Sequence, residues 1–216
     1  MADAPDPGRL LTALTTEHFG LAGARAAATS EGAARSSLFM GSVTSTLVAL
    51  GILAAVAGGD SALFRTFALT VLPTVCFLGV TTFVRLVELG TEDFLYGRAI
   101  NRIRSHYLEL AGENARLFML RAHDDPLGVM ENMGVRPGGF QIYLTNSFAL
   151  AVVTAVLAGA TVALAVEAVT GAPLGVDVVA GAVAAVATVV GLVRFMRHHY
   201  GAAPTLDEPL FPTPNG

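Results

Sequence analysis

The residues of this 216-residue chain that could do chemistry are few and scattered. His123, Asp124 and Asp125 stand side by side, the densest group of metal ligands or acid–base residues in the sequence. Neighbours in sequence rarely converge on one ion, and an Asp before Pro126 has a simpler explanation. Asp124 or Asp125 caps a short helix that runs to about Asn132, with Gly134 ending it and Pro137 just beyond. His18 recurs with Leu11, Leu14 and Leu21 at helical spacing and reads as a packed or rim residue, while His198 and His199 follow Arg197 and read as interfacial. Cys76 is the only cysteine, which excludes an intrachain disulfide and a cysteine-based metal cluster. No Walker loop, dinucleotide fingerprint, nucleophile elbow or HExxH segment is present. The sequence therefore predicts no catalytic residue, cofactor or metal site, and the chain reads as a non-enzyme.

Composition says where these residues sit. Hydrophobic residues make up 53% of the chain, charged residues only 14%, and the mean hydropathy is +0.61, which argues against a soluble monomer. All 13 positive charges are Arg, and 17 acidic residues leave a net charge of -4, which argues against a nucleic-acid partner. Uncharged runs cover 36–59, 66–84, 137–166 and 178–193. A bilayer core needs roughly 20 apolar residues of helix, so the first three suffice and the fourth must begin near Pro173. The predicted fold is an all-α integral membrane protein with four transmembrane helices, near 38–58, 64–86, 147–168 and 174–195. Short outer connections pair them as two hairpins, with cytoplasmic helical extensions.

Arg sets the orientation. Twelve of the 13 lie in the N-terminal segment, the central loop and the C-terminal flank, against Arg65 alone on the other side. The positive-inside rule then puts both termini and the central region in the cytoplasm of a multi-pass protein of the cell membrane. With Asp3 and Asp6 at the start, no cleavable signal peptide is evident. The expected organisation is an N-terminal amphipathic helix (1–37), hairpin 1 (38–86), a cytoplasmic helical region (87–146), hairpin 2 (147–195) and a Pro-rich disordered tail (196–216).

Within this frame two faces and one rim are candidate functional surfaces. Ser147, Ala151, Thr154, Ala158, Thr161 and Ala165 in span three, and Asp177, Gly181, Ala184, Thr188 and Gly191 in span four, form small-residue seams. They read as close helix packing or, more sharply, as a narrow hydroxyl-dotted pore, with Ser147, Thr154, Thr161, Gly181 and Thr188 as its defining residues. Asp60, Glu167 and Asp177 form an outer acidic rim, either solvated loop charge or a cation-attracting vestibule. In the central region Tyr96, Ile100, Ile103, Tyr107 and Leu110 make a short coiled-coil-like interaction seam that packs on the N-terminal helix or on a neighbouring subunit. Gly90 sits where this helix leaves the bilayer and is a potential kink.

The stretch TFVRLVELGTEDFLYGRAINRIRSHYLEL from Thr82 to Leu110, with the N-terminal EHFGLAGARAAATSEGAARSSLF, resembles uncharacterised four-span membrane proteins of actinobacteria. That resemblance implies a membrane location and brings no activity and no functional residues. Two classes of function follow from the sequence. One is a non-enzymatic oligomeric membrane protein that is channel-like or membrane-perturbing, with the lipid bilayer and further copies of itself as partners. The other is a membrane scaffold that binds a cytoplasmic protein partner through its helical region.

Overall fold

The computed structural model describes residues 6–59, 61–135, 141–171, 174–202 and 208–214. Asp60, Pro137, Pro173 and Pro204 lie outside the described residues. The regular elements of the described chain are all helical, in the order α1 (Pro7–Ala57), α2 (Ala62–Ala111), a 3-10 turn (Gly112–Leu117), α3 (Pro126–Asn132), a second 3-10 turn (Gln141–Leu144), α4 (Asn146–Thr170) and α5 (Leu174–Ala202). Among the described residues there is no strand. The helices α1, α2, α4 and α5 are each long and apolar enough to cross a bilayer, which makes this a four-span, multi-pass membrane protein.

Local chemistry explains where the elements start and stop. Gly58, at φ 83°, leaves the helical conformation after α1, and Ser61 Oγ then accepts the Phe64 N–H at 3.1 Å to open α2. Thr145 caps α4 by accepting the Phe148 N–H at 3.2 Å, and Gly171, at φ 58°, ends it with its N–H on Glu167 O. Several hydroxyls within the apolar helices turn back on their own backbone, whereas the buried Thr154 hydroxyl meets no partner among the described residues. Thr44, Thr70 and Thr161 donate to the carbonyls of Met40, Thr66 and Leu157 at 2.7–2.9 Å, so they need no water.

The chain divides into two compact units. The apolar unit comprises 32–87 and 142–198, and the polar unit comprises 1–31, 88–141 and 199–216. The apolar unit is centred on Phe39, Val43, Leu72, Val75, Leu150 and Leu157, which α1, α2 and α4 contribute. Its α4 and α5 meet backbone to backbone. A Cβ added at Gly181 would lie 2.7 Å from Gly159 O, and one at Gly159 would lie 2.7 Å from Gly181 O, so neither position has room for a side chain. Asn146 Nδ2 donates to Ser36 Oγ at 2.6 Å, tying the start of α4 to α1.

Candidate functional site

The polar unit is built around a carboxylate. Asp125 caps α3, accepting the Gly128 N–H at 2.8 Å, with Pro126 in the first turn where a missing N–H costs nothing. Gly134, at φ 71°, lies just past the end of the helix. This fixes the loop before α3 and turns Asp124 inward, where it is 0% exposed. Three donors converge on its carboxylate: Arg102 Nε, the Leu210 N–H at 3.1 Å and the Phe211 N–H at 2.8 Å. The Asp124 N–H in turn donates to Phe211 O at 3.2 Å.

Residues 208–214 thus form a strap across the loop, and more bonds hold it. Arg102 donates to Glu208 O at 2.7 Å, and Thr213 gives both its N–H and its hydroxyl to Asp125 at 2.9 Å. The Pro-rich tail was expected to be disordered from its composition; over 208–214 it is instead an ordered part of the unit, and α5 continues to Ala202. The physical reason is that prolines bar this segment from helix but leave the N–H groups of Leu210, Phe211 and Thr213 free to meet buried acceptors.

Helix α2 supplies the facing wall. Arg98, Asn101 and Arg102 recur at spacings of three and one and so share one side of the helix. Arg98 Nε donates to Asp124 O at 2.9 Å and Asn101 Nδ2 to His123 O at 2.7 Å. Asn101 Oδ1 accepts from Arg104 and from Asn132 Nδ2 at 2.8 and 3.0 Å. Burial alone would raise the Asp124 pKa; hydrogen bonds from Arg102, Phe211 and Leu210 outweigh it and hold the group below the ordinary carboxylate value. Asp125 follows the same pattern, with burial opposed by Gly128 and Thr213. Carboxylates so fully supplied with donors are weak bases, and their lone pairs are engaged in holding the strap.

The seam read from the sequence is buried only in part, with Tyr96 half-buried. Ile100 and Ile103 are buried, the Tyr107 ring lies 5.8 Å from that of His18 on α1, and Leu110 is exposed. Burial lowers the His18 pKa, and the nearby Arg104 charge lowers it further. Gly90 serves spatially: a Cβ there would lie 2.7 Å from the Tyr200 hydroxyl.

The small-residue faces of the apolar unit are packed at some positions and open at others. Thr154 is 0% exposed, its hydroxyl enclosed by Gly79, and Phe39 lies 3.0 Å from the Cβ position of that glycine. Ser147 and Gly181 are buried, while Thr161 and Thr188 are half-buried. A pore wall needs an open hydroxyl at Thr154, and this one is covered inside its own chain. The two described members of the acidic rim stand apart in character. Glu167 Oε1 lies 3.8 Å from Arg65, whereas Asp177 is 7% exposed and accepts the Val178 N–H.

Comparison with protein-family models, curated proteins and solved structures finds no match. The functional argument therefore rests on the chain itself. Sequence reasoning missed the polar side of α2 and the strap. The first was visible in the spacing of Arg98, Asn101 and Arg102; the second had no local signal, because its partners lie 86–88 residues away.

Proposed function

We propose that the protein is a non-enzymatic membrane scaffold, in which four spans anchor the chain and the polar unit holds a protein partner. The observation that carries this reading is the loop Leu117–Phe118–Met119–Leu120, whose four consecutive apolar residues are all exposed, Met119 at 97%. A run of that kind exposes more apolar surface than packing its own unit uses, which fits a contact surface. It borders an open groove of about 450 Å³ that Leu108, Phe118, Met119 and Ala122 help to line. The network around Asp124 gives this loop a rigid base: Arg121, next to it, donates its N–H to Asn132 and pairs with Glu131 at 2.6 Å. The bias of twelve Arg against one supports a cytoplasmic polar unit and hence a cytoplasmic partner.

A photo-crosslinking side chain at Met119 of the full chain in living cells tests the proposal. The expected result is one discrete adduct with a cytoplasmic protein, lost when Leu117 and Phe118 become Asp while membrane insertion and thermal melting stay unchanged. Adducts with lipid alone, or with a second copy of the chain, would overturn the scaffold reading. So would conductance in planar bilayers that responds to Thr154→Leu.

A further inference from the structure

The polar unit also contains a small, partly open, positively charged cavity, separate from the strap. It measures about 40 Å³ and is lined by Arg25, Gly97, Asn101, Arg104, Leu120 and Asn132 among others. A water needs roughly 10–15 Å³ of such space, so the cavity is larger than one water and suits a small ion.

Its charge is unbalanced. Arg25 is bound by Asp93 in a two-pronged pair, Nε to Oδ1 at 2.7 Å and Nη2 to Oδ2 at 3.1 Å. Arg104 has no such partner: its Nη1 donates to two neutral acceptors, Asn101 Oδ1 at 2.8 Å and Arg121 O at 3.0 Å. Among the described residues, two guanidiniums against one carboxylate leave one positive charge uncompensated. A guanidinium carries five N–H donors, and those on Arg104 Nε and Nη2 and Arg25 Nη1 meet no acceptor among the described residues. The two cations also oppose each other. Burial and then repulsion from Arg25 both lower the Arg104 pKa. Gly97 keeps the space clear on one side, since its Cβ position is 3.0 Å from Val129 Cγ1 and 3.8 Å from Arg25 Nη1.

We propose that this cavity is a binding site for one small inorganic anion, a halide or a tetrahedral oxyanion, held between the guanidiniums of Arg25 and Arg104. The anion supplies the missing negative charge and accepts the spare N–H groups, joining α1 to α2 in a way the protein's own side chains leave incomplete. Asn132 and Asn101, already bonded to each other and to the backbone around Arg121, fix the wall from the α3 side. The site shares Leu120 with the partner loop, but its test is anion binding by the purified chain and so is read separately from partner capture.

Equilibrium dialysis of the detergent-purified full chain against radiolabelled chloride, and separately against radiolabelled orthophosphate, tests the site, with gluconate holding ionic strength constant. The expected result is saturable binding of one anion per chain, accompanied by a rise in thermal midpoint that gluconate does not produce. Binding of orthophosphate alone identifies an oxyanion site, and binding of chloride identifies a halide site. Arg104→Gln should weaken binding at least about tenfold. Should that variant fail to fold, Leu120→Glu decides the matter, since Leu120 is half-exposed and a carboxylate there can fill the cavity from its open side. It should abolish anion binding without lowering the melting temperature. No saturable binding of either anion, or binding that persists in folded Arg104→Gln or in Leu120→Glu, would overturn the proposal.

Discussion

The two units solve the same problem, holding helices together, by opposite means. In the polar unit a carboxylate is taken out of water and then held by hydrogen bonds: Asp124 has no exposed surface, yet its carboxylate accepts from three donors and its backbone is bonded at both N–H and C=O. In the apolar unit, α4 and α5 instead use the absence of side chains, at Gly159 and Gly181. The difference follows from the surroundings. Helices in lipid gain little from burying apolar surface, so close approach is what distinguishes a good contact. A unit in water can use desolvation and charge, but only if every buried polar group finds a partner. Steric fit thus specifies one unit and the hydrogen-bond network around Asp124 the other.

Removing Asp124 should have the largest effect. Asp124→Ala orphans Arg102 and the Leu210 and Phe211 N–H groups, and is expected to destabilise the polar unit by about 3 kcal/mol, read by chemical unfolding of the purified protein. The apolar unit should keep its helical circular-dichroism signal under the same conditions, since the bonds lost all lie in the other unit. Acid should act in the same direction. Both Asp124 and Asp125 are held below their ordinary value of 3.8, so their contribution is fully present above 3.8 and is lost as pH falls through their folded values below it. A spin label at Leu210, in a Cys76→Ser background, should show an unchanged spectrum down to 3.8 and mobility only below; release at neutral pH would refute the carboxylate clamp.

Steric fit gives the next effect. Gly181→Leu forces a side chain against Gly159 O and Ala163 Cβ and is expected to cost about 2 kcal/mol in unfolding from detergent micelles. Gly191 lies on the same predicted seam but has nothing within 4 Å of its Cβ position, so Gly191→Leu should be silent. Equal effects at the two sites would mean that the seam, and not the single crossing at Gly159, carries the contact. The smallest effect belongs to Arg65 and Glu167, 3.8 Å apart with both side chains more than a third exposed. Glu167→Gln should change stability by less than about 0.5 kcal/mol.

What the sequence made legible was whatever depends on near neighbours or on bulk hydropathy. The four spans follow from uncharged length, and the Asp125 cap, the Pro126 start and the Gly134 stop follow from a stretch of ten residues. Of the seam from Tyr96 to Leu110, spacing alone left open whether it faced α1 or another subunit; the Tyr107 ring meets His18 of α1, while Leu110 is exposed. The roles of Arg98, Asn101 and Arg102 were not legible, because their acceptors are backbone carbonyls and one carboxylate on a loop that no local pattern places. Composition actively misled at the C-terminal segment: prolines signal disorder only when nothing elsewhere accepts the remaining N–H groups, and here Asp124 and Asp125 do. The hydroxyl at Thr154 shows the converse. Its spacing fitted a pore wall, but Gly79 opposite lets α4 come close enough to cover it.

The strap also sets a timetable for biosynthesis. Asp124 leaves the ribosome 86 residues before Leu210, with α4 and α5 translated in between. At about 5–20 residues per second that is an interval of roughly 4–17 s during which the carboxylate lacks two of its three donors. The polar unit closes only when both later spans have been made. A chain arrested after α5 but before residue 208 would hold its apolar helices while the loop at 123–125 lacked its strap, so completion of one unit reports on synthesis of the other.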